Sequence, residues 1–367
     1  MPTRRQHMAW VCASFVAALV FVLATACRYA GADPGRPSPG EPRTTPARVP
    51  TAPATPTGPA APQATPQAAS PPTATRAEDE RCPAGMVFIP GGEFRMGNTG
   101  NGDYEGPPHG VTLSPYCIDR TEVTVQAYME CADAGGCVHA PTTEYARPLP
   151  ASEEAPGLAE ARAAFQSQFC NGERNDRLQH PINCVDWEMS RAFCEWRGGR
   201  LPTEAEWEFA ARGTDGRLFP WGSGAPDETR LNACGPECVA MFERLGDHTY
   251  SHGSTFLQRP DGWETTAPVG SYPSGASPFG LMDLAGNVTE WVFDRDGPYP
   301  RTAVRNPRGP SRGDYGVLRG GSWNATLAYH PTGLLPLRVR ATYRSGATQE
   351  VRFSDVGFRC ARDPVRP

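Results

Sequence analysis

The chain has 367 residues, with 40 prolines, 39 glycines, 12 cysteines and a formal charge of −5. All 35 basic residues are arginine, which excludes a Schiff-base lysine, a Walker-type phosphate loop and a kinase-type lysine. From Ala77 onward 28 Arg face 38 Asp plus Glu with no basic cluster, so a nucleic-acid groove and acidic partners are not expected.

At the N-terminus Arg4 and Arg5 precede an uncharged run from Met8 to Ala26, which ends Ala24-Thr25-Ala26-Cys27. Residues 1–27 therefore read as an export signal. The ending resembles a bacterial lipoprotein signal in which Cys27 is acylated, although Leu23 stands one place early. Cleavage at the Ala-x-Ala motif and a retained membrane anchor are the alternatives. Each places the remainder outside the cytoplasm, at the cell envelope (periplasm, outer membrane or cell surface) or secreted. Residues 28–80 form a Pro/Ala/Thr-rich spacer that cannot bury a core, since 13 of the 40 prolines lie between Ala32 and Arg76 and Val49 is the only large apolar residue there. Extended as polyproline, those 45 residues reach roughly 140 Å.

Residues 81–367 are long enough for one large domain. Its ten cysteines (82, 117, 131, 137, 170, 184, 194, 234, 238 and 360) are an even number in an oxidising compartment, which favours five disulfides whose connectivity spacing does not reveal. Cys234 and Cys238 also stand at a zinc-like spacing, but a second pair at that spacing is missing.

The elements follow in chain order. Met86-Val87-Phe88-Ile89 is a short strand stopped by Pro90-Gly91-Gly92, and with the polar loop through Gly102 it reads as a hairpin-like opening. Thr124 caps a short helix with Val125, Tyr128, Met129 and Ala132 on one face, ended by Gly135-Gly136. Asp186 caps another carrying Trp187, Phe193, Cys194 and Trp196, closed by Gly198-Gly199. Pro202-Thr203-Glu204-Ala205-Glu206 is a capping box ahead of Trp207 and Phe209. Beyond Gly213 the chain reads mostly as loops, whose Trp221, Trp263, Trp291 and Trp323 are expected to pack and to cluster.

Eight motifs in order carry a family resemblance. They are Gly91-Gly92-x-Phe94-x-Met96-Gly97, Ile118-Asp119-x-x-Glu122-Val123-Thr124, His180-Pro181-Ile182-x-x-Val185-x-Trp187, Arg200-Leu201-Pro202-Thr203-Glu204-Ala205-Glu206-Trp207-Glu208, Pro220-Trp221-Gly222, Gly286-Asn287-Val288-x-Glu290-Trp291, Arg319-Gly320-Gly321-Ser322-Trp323 and Gly357-Phe358-Arg359-Cys360. Together they resemble the formylglycine-generating enzyme, or sulfatase-modifying factor, family across nearly the whole domain. The resemblance implies an α+β, C-type-lectin-like fold with little regular secondary structure, and a structural disulfide between Cys194 and Cys360.

It also implies structural calcium (Ca2+). One family site would map to the carboxylates of Asp283 and Glu290 with the carbonyls of Gly286 and Val288. A second would map to Asn232, the Ala233 carbonyl, Asp261 and the Trp263 carbonyl. Carboxylates, amides and loop carbonyls are the oxygen mixture a hard cation takes. The plainer alternative is that Asp283 and Asp261 cap turns while Glu290 is solvated.

Family enzymes oxidise a cysteine in a Cys-x-Pro-x-Arg segment to formylglycine with Cu(I) held by two thiolates, a soft-ligand site. The matching positions here are Ala325 and His330, and Thr289 stands where the enzymes carry a pocket tryptophan. Ser322 and Trp323 persist. No copper is expected, because alanine has no donor and imidazole is harder than thiolate. His330 in a different redox site would need convergent partners, and among His109, His139, His180, His248 and His252 two look structural: His109 at a strand entry and His180 before Pro181. No Gly-x-Ser-x-Gly elbow supports a hydrolase. The expectation is thus a pseudoenzyme: a calcium-stabilised, disulfide-bonded envelope module that binds a protein, peptide or glycan, anchored by its N-terminal lipid or signal. The alternatives are an enzyme modifying a protein or peptide through another metal site, and a purely structural component.

Overall fold

Short apolar runs broken by Pro and Gly can make only short strands, and the computed structural model of the chain builds its sheets from such pieces. It describes residues 81–99, 104–145, 158–247, 255–325, 328–330, 333–335 and 337–365, all within one unit spanning 71–367. The export segment with Cys27, the spacer, His248 and His252 lie outside the described residues. Strand β1 (Met86–Ile89) ends at Pro90 as expected, but the opening is not a hairpin. It pairs antiparallel with β4 (Tyr116–Asp119), whereas β2 (Gly92–Met96) pairs with β3 (His109–Leu113). Gly91 explains the separation: its φ is 72°, and a Cβ there would lie 2.4 Å from the Leu113 carbonyl oxygen, so the chain is turned out of β1 hard against the end of β3.

Helix α1 (Val125–Asp133) is capped by Thr124, which accepts from Ala127 N at 3.2 Å. Helix α2 (Leu158–Ser167) was not anticipated from the sequence. In α3 (Trp187–Trp196) Asp186 caps Met189 N at 2.9 Å. The capping box of α4 (Glu204–Arg212) is complete, with Thr203 and Glu206 each accepting from the other's backbone N–H. Helix α5 (Pro236–Arg244) starts on Pro at its first position.

The region beyond Gly213 is mostly loop, as expected, but it also carries regular elements that the sequence did not suggest. Among the described residues it holds α5 and eight strands: β5 (Thr289–Arg295), β6 (Val304–Arg305), β7 (Tyr315–Arg319), β8 (Ala328–His330), β9 (Gly333–Leu335), β10 (Arg344–Thr348), β11 (Val356–Phe358) and β12 (Ala361–Arg362). One sheet runs β10-β7-β5-β11, with β5 antiparallel to β7 and parallel to β11. Two three-stranded sheets, β1-β4-β12 and β2-β3-β6, and the β8-β9 pair complete the set. The mixed α+β, C-type-lectin-like architecture stands.

Helix α4 is buried along all nine residues, including Glu204, Glu206 and Glu208. Burying three carboxylates requires opposing charge. Arg344 pairs with Glu204 at 2.8 Å, Arg319 with Glu208 at 2.6 Å and Arg200 with Glu206 at 2.7 Å. Arginine suits this duty, since its planar fork is less strongly hydrated than an ammonium. Trp207 and Phe209 join Ile118, Val292 and Val317 in one core cluster, and Phe193, Trp291, Leu318 and Phe358 anchor a second.

All ten domain cysteines are paired: Cys82–Cys117, Cys131–Cys137, Cys170–Cys184, Cys194–Cys360 and Cys234–Cys238. The Cys194–Cys360 bond ties α3 to the residue before β12. The Cys234–Cys238 bond removes both thiols from any zinc pair.

Candidate functional site

The loop from Asp283 to Glu290 is shaped by three left-handed residues, Asp283 (φ 61°), Gly286 (φ 82°) and Asn287 (φ 57°). Only glycine fits at 286, because a Cβ would meet the Asn232 carbonyl oxygen at 2.2 Å. This contact lays the two calcium-like segments against each other. Glu290 is fully buried; both its oxygens accept from Arg359 at 2.7 Å, and Trp207 Nε1 donates to one of them at 2.9 Å. Asp283 accepts from Gly270 N at 2.7 Å. Sequence reasoning missed a third carboxylate here, Glu122, which accepts from Val288 N at 2.9 Å and from the Asn287 amide at 2.6 Å. Its place in the Asp119-x-x-Glu122 motif was the available signal. Burial and the neighbouring Asp283 and Glu290 push the Glu122 carboxyl well above the usual range. Burial likewise lifts Asp283 to about 6. Three carboxyls thus crowd one guanidinium, which disfavours ionising all three unless a further cation joins them.

In the second segment Asp261 accepts from Trp263 N at 2.9 Å through one oxygen and from Ala233 N and Asn232 Nδ2, both at 3.1 Å, through the other. Asn232 is 2% exposed and its Oδ1 is buried without a hydrogen-bond partner. A buried amide oxygen left unpaired is costly unless something else takes its lone pair. Burial raises Asp261 to about 6. This donor set fits a hard cation. Among the described residues no group of three or more His, Cys, Asp or Glu side chains is arranged to chelate a metal, so a cation in either segment would rest largely on carbonyls and the Asn232 amide.

Ser322, Trp323 and Thr289 converge on one short stretch. The preceding turn needs Gly321 (φ 71°), whose Cβ would lie 2.7 Å from the Arg338 carbonyl oxygen. Ser322 Oγ donates to Asp355 at 3.0 Å, Trp323 Nε1 donates to the Ser354 carbonyl at 3.1 Å, and Thr289 N donates to the Asp355 carbonyl at 2.8 Å. Two residues not singled out from the sequence join them: Asp355, whose carboxyl is raised by burial, and Glu144, raised by burial to about 7 and accepting from Ser354 N. Ala325 is 2% exposed and packs among Phe219, Leu231, Phe256, Leu257 and Val339. His330 pairs through its backbone with Gly333 in β8-β9, and its side chain lies outside the described residues. These residues do not fit Cu(I): the first position is methyl in an apolar cluster and every domain thiol is in a disulfide.

The four tryptophans do not form one surface. Trp291, a residue of β5, lies in the second core cluster, and Trp323 packs on Phe169 and Phe242. Trp221 stacks on Phe219 with centroids 5.1 Å apart, while Trp263 stands edge-on to His180 at 5.2 Å. Trp291, Trp323 and Trp221 belong to three different core clusters, and Trp263 to none of them. His180 and His109 are structural as read: burial and Arg177 lower His180 to about 4, and its Nδ1 lies 3.1 Å from Thr266 Oγ1. His109 opens β3 with Nδ1 3.1 Å from the Pro107 carbonyl.

The sulfatase-modifying factor enzyme 1-like domain matches residues 71–364. A formylglycine-generating enzyme of Streptomyces coelicolor is 35% identical over 323 residues, covering 81% of this chain and 94% of the relative. A mouse protein named inactive C-alpha-formylglycine-generating enzyme 2 is 33% identical, covering 77% and 87%. Among solved structures, PvdO of Pseudomonas aeruginosa is similar at a TM-score of 0.53 and 25% identity, covering 76% of this chain and 94% of that one.

Proposed function

This chain belongs to the formylglycine-generating enzyme, or sulfatase-modifying factor, family, and from that footing we propose that it is an exported, calcium-stabilised recognition module of the cell envelope rather than a copper oxidase. The observation that carries the reading is the pairing of all ten domain cysteines, which leaves no thiolate there for Cu(I). Ala325, buried among apolar side chains, supports it. The Arg4-to-Cys27 segment supports export with lipid anchoring, and the spacer supports a domain held away from the membrane surface. A peptide or glycan is the class of ligand proposed. Calcium at the Asn232–Trp263 segment is supported by the unpaired Asn232 oxygen, and at the Asp283–Glu290 segment by the carboxylate excess.

The test is to incubate copper-loaded protein with a Cys-x-Pro-x-Arg peptide in air and follow its mass. No aldehyde should form; aldehyde product would overturn the proposal. A second reading, an enzyme acting on a peptide through other groups, is favoured by the Ser322, Asp355 and Glu144 cluster, in which burial raises both carboxyls, that of Glu144 to about 7. A peptide mass change other than the aldehyde would favour that reading.

A further inference from the structure

Four side-chain oxygens among the described residues are buried with no hydrogen-bond partner: Asn232 Oδ1, Glu237 Oε2, Asp296 Oδ1 and Thr348 Oγ1. Asp296 Oδ1 is nonetheless ion-paired to Arg344 at 3.2 Å. Two of the remaining three flank the same loop. Asn232 holds it through its amide nitrogen, which donates to Asp261 at 3.1 Å and to the Thr265 carbonyl at 3.0 Å. Glu237 holds it through Oε1, which accepts from Gly262 N at 2.8 Å. The Glu237 carboxylate is close enough to disfavour the charge on Asp261, and no arginine among the described residues is ion-paired to either. A glutamate in the first turn of a helix is ordinarily explained by the helix dipole. That explanation does not account for an oxygen buried beside another carboxylate with its lone pairs unused.

We propose that Glu237, delivered by α5, is an additional ligand to a calcium ion held by Asn232, Ala233, Asp261 and Trp263. The inference rests on the calcium reading of that segment. With Asp261 alone the site offers one formal negative charge; Glu237 makes it two, matching a divalent cation, and ligand charge count is a main determinant of calcium affinity. The Cys234–Cys238 bond spans the start of α5 and fixes the turn that carries Glu237.

Calcium is titrated calorimetrically into the full chain, into Glu237→Gln and into Asp261→Asn, with melting temperatures recorded in calcium and in chelator. Glu237→Gln keeps an acceptor for Gly262 N while removing the charge. It should weaken calcium binding about tenfold or more, lose most of the calcium-dependent rise in melting temperature, and melt in chelator no lower than the wild type. If Asp261→Asn weakens binding and Glu237→Gln does not, Glu237 is not a ligand and the calcium site itself stands. If neither change alters binding, the segment is not a calcium site and both statements fall.

Discussion

Arg359 is fully buried, and its guanidinium donates to both oxygens of Glu290 and to the carbonyls of Met282, Asp119 and Arg120. Among the described residues it is the one cation hydrogen-bonded within the Glu122, Asp283 and Glu290 group. Replacing it by methionine keeps the volume and strands those carboxylates. Breaking a buried pair in this way costs about 3–5 kcal/mol. Urea denaturation at pH 7 should show Arg359→Met destabilised by that order, and an unchanged midpoint would mean that the pair carries no such duty. At this scale the sequence was informative where a motif fixed register: Asp283 and Gly286 lie on the loop that leads into Glu290 of β5, and Ser322, Trp323 and Thr289 meet at Ser354–Asp355. Glu122, Glu237, Asp355 and Glu144 were not legible as members of these groups. Glu122 binds Asn287 from 165 residues away and Glu144 binds Ser354 from 210, while Glu237 meets Gly262 across a loop 25 residues on.

The α4 helix shows what local patterning can and cannot specify. Its capping box was readable because Thr203 and Glu206 are three apart and satisfy each other. Its burial was not, because a helix with three glutamates reads as solvated until the arginines of β7 and β10 arrive from over a hundred residues away. The strands after Gly213 escaped notice for a related reason. Strand β5 is buried at positions 289–292 without alternation, since both its faces are covered. At its end Asp294 accepts from Glu204 N at 2.8 Å, and burial with the nearby Glu204 raises its carboxyl to about 8. Between the unfolded value near 4 and 8, the folded chain keeps a proton that the unfolded chain releases. Its contribution to stability is therefore lost as pH rises through that window. Asp294→Asn keeps the acceptor and removes the titration, so its denaturation midpoint should fall less than the wild type's between pH 5 and pH 8. Parallel profiles for the two proteins would assign the pH dependence elsewhere.

Over the whole molecule, the proposed reading separates the family's scaffold from its reaction centre. The Cys194–Cys360 bond, the buried Arg–Glu pairs and the calcium-like loops keep the fold, while Ala325 sits in apolar packing and the domain thiols are spent in disulfides. The fold class was legible only through the ordered motifs, because strands of two to seven residues carry too little periodicity to declare a topology. The disulfide pairings needed the structure, since spacing leaves connectivity open. One measurement bears on this account most directly: elemental analysis of the purified, oxidised full chain before and after dialysis against a weak chelator. The account predicts about two calcium ions per chain, one for each oxygen-rich segment, and only trace copper or iron. Stoichiometric copper or iron, retained through the dialysis, would contradict it.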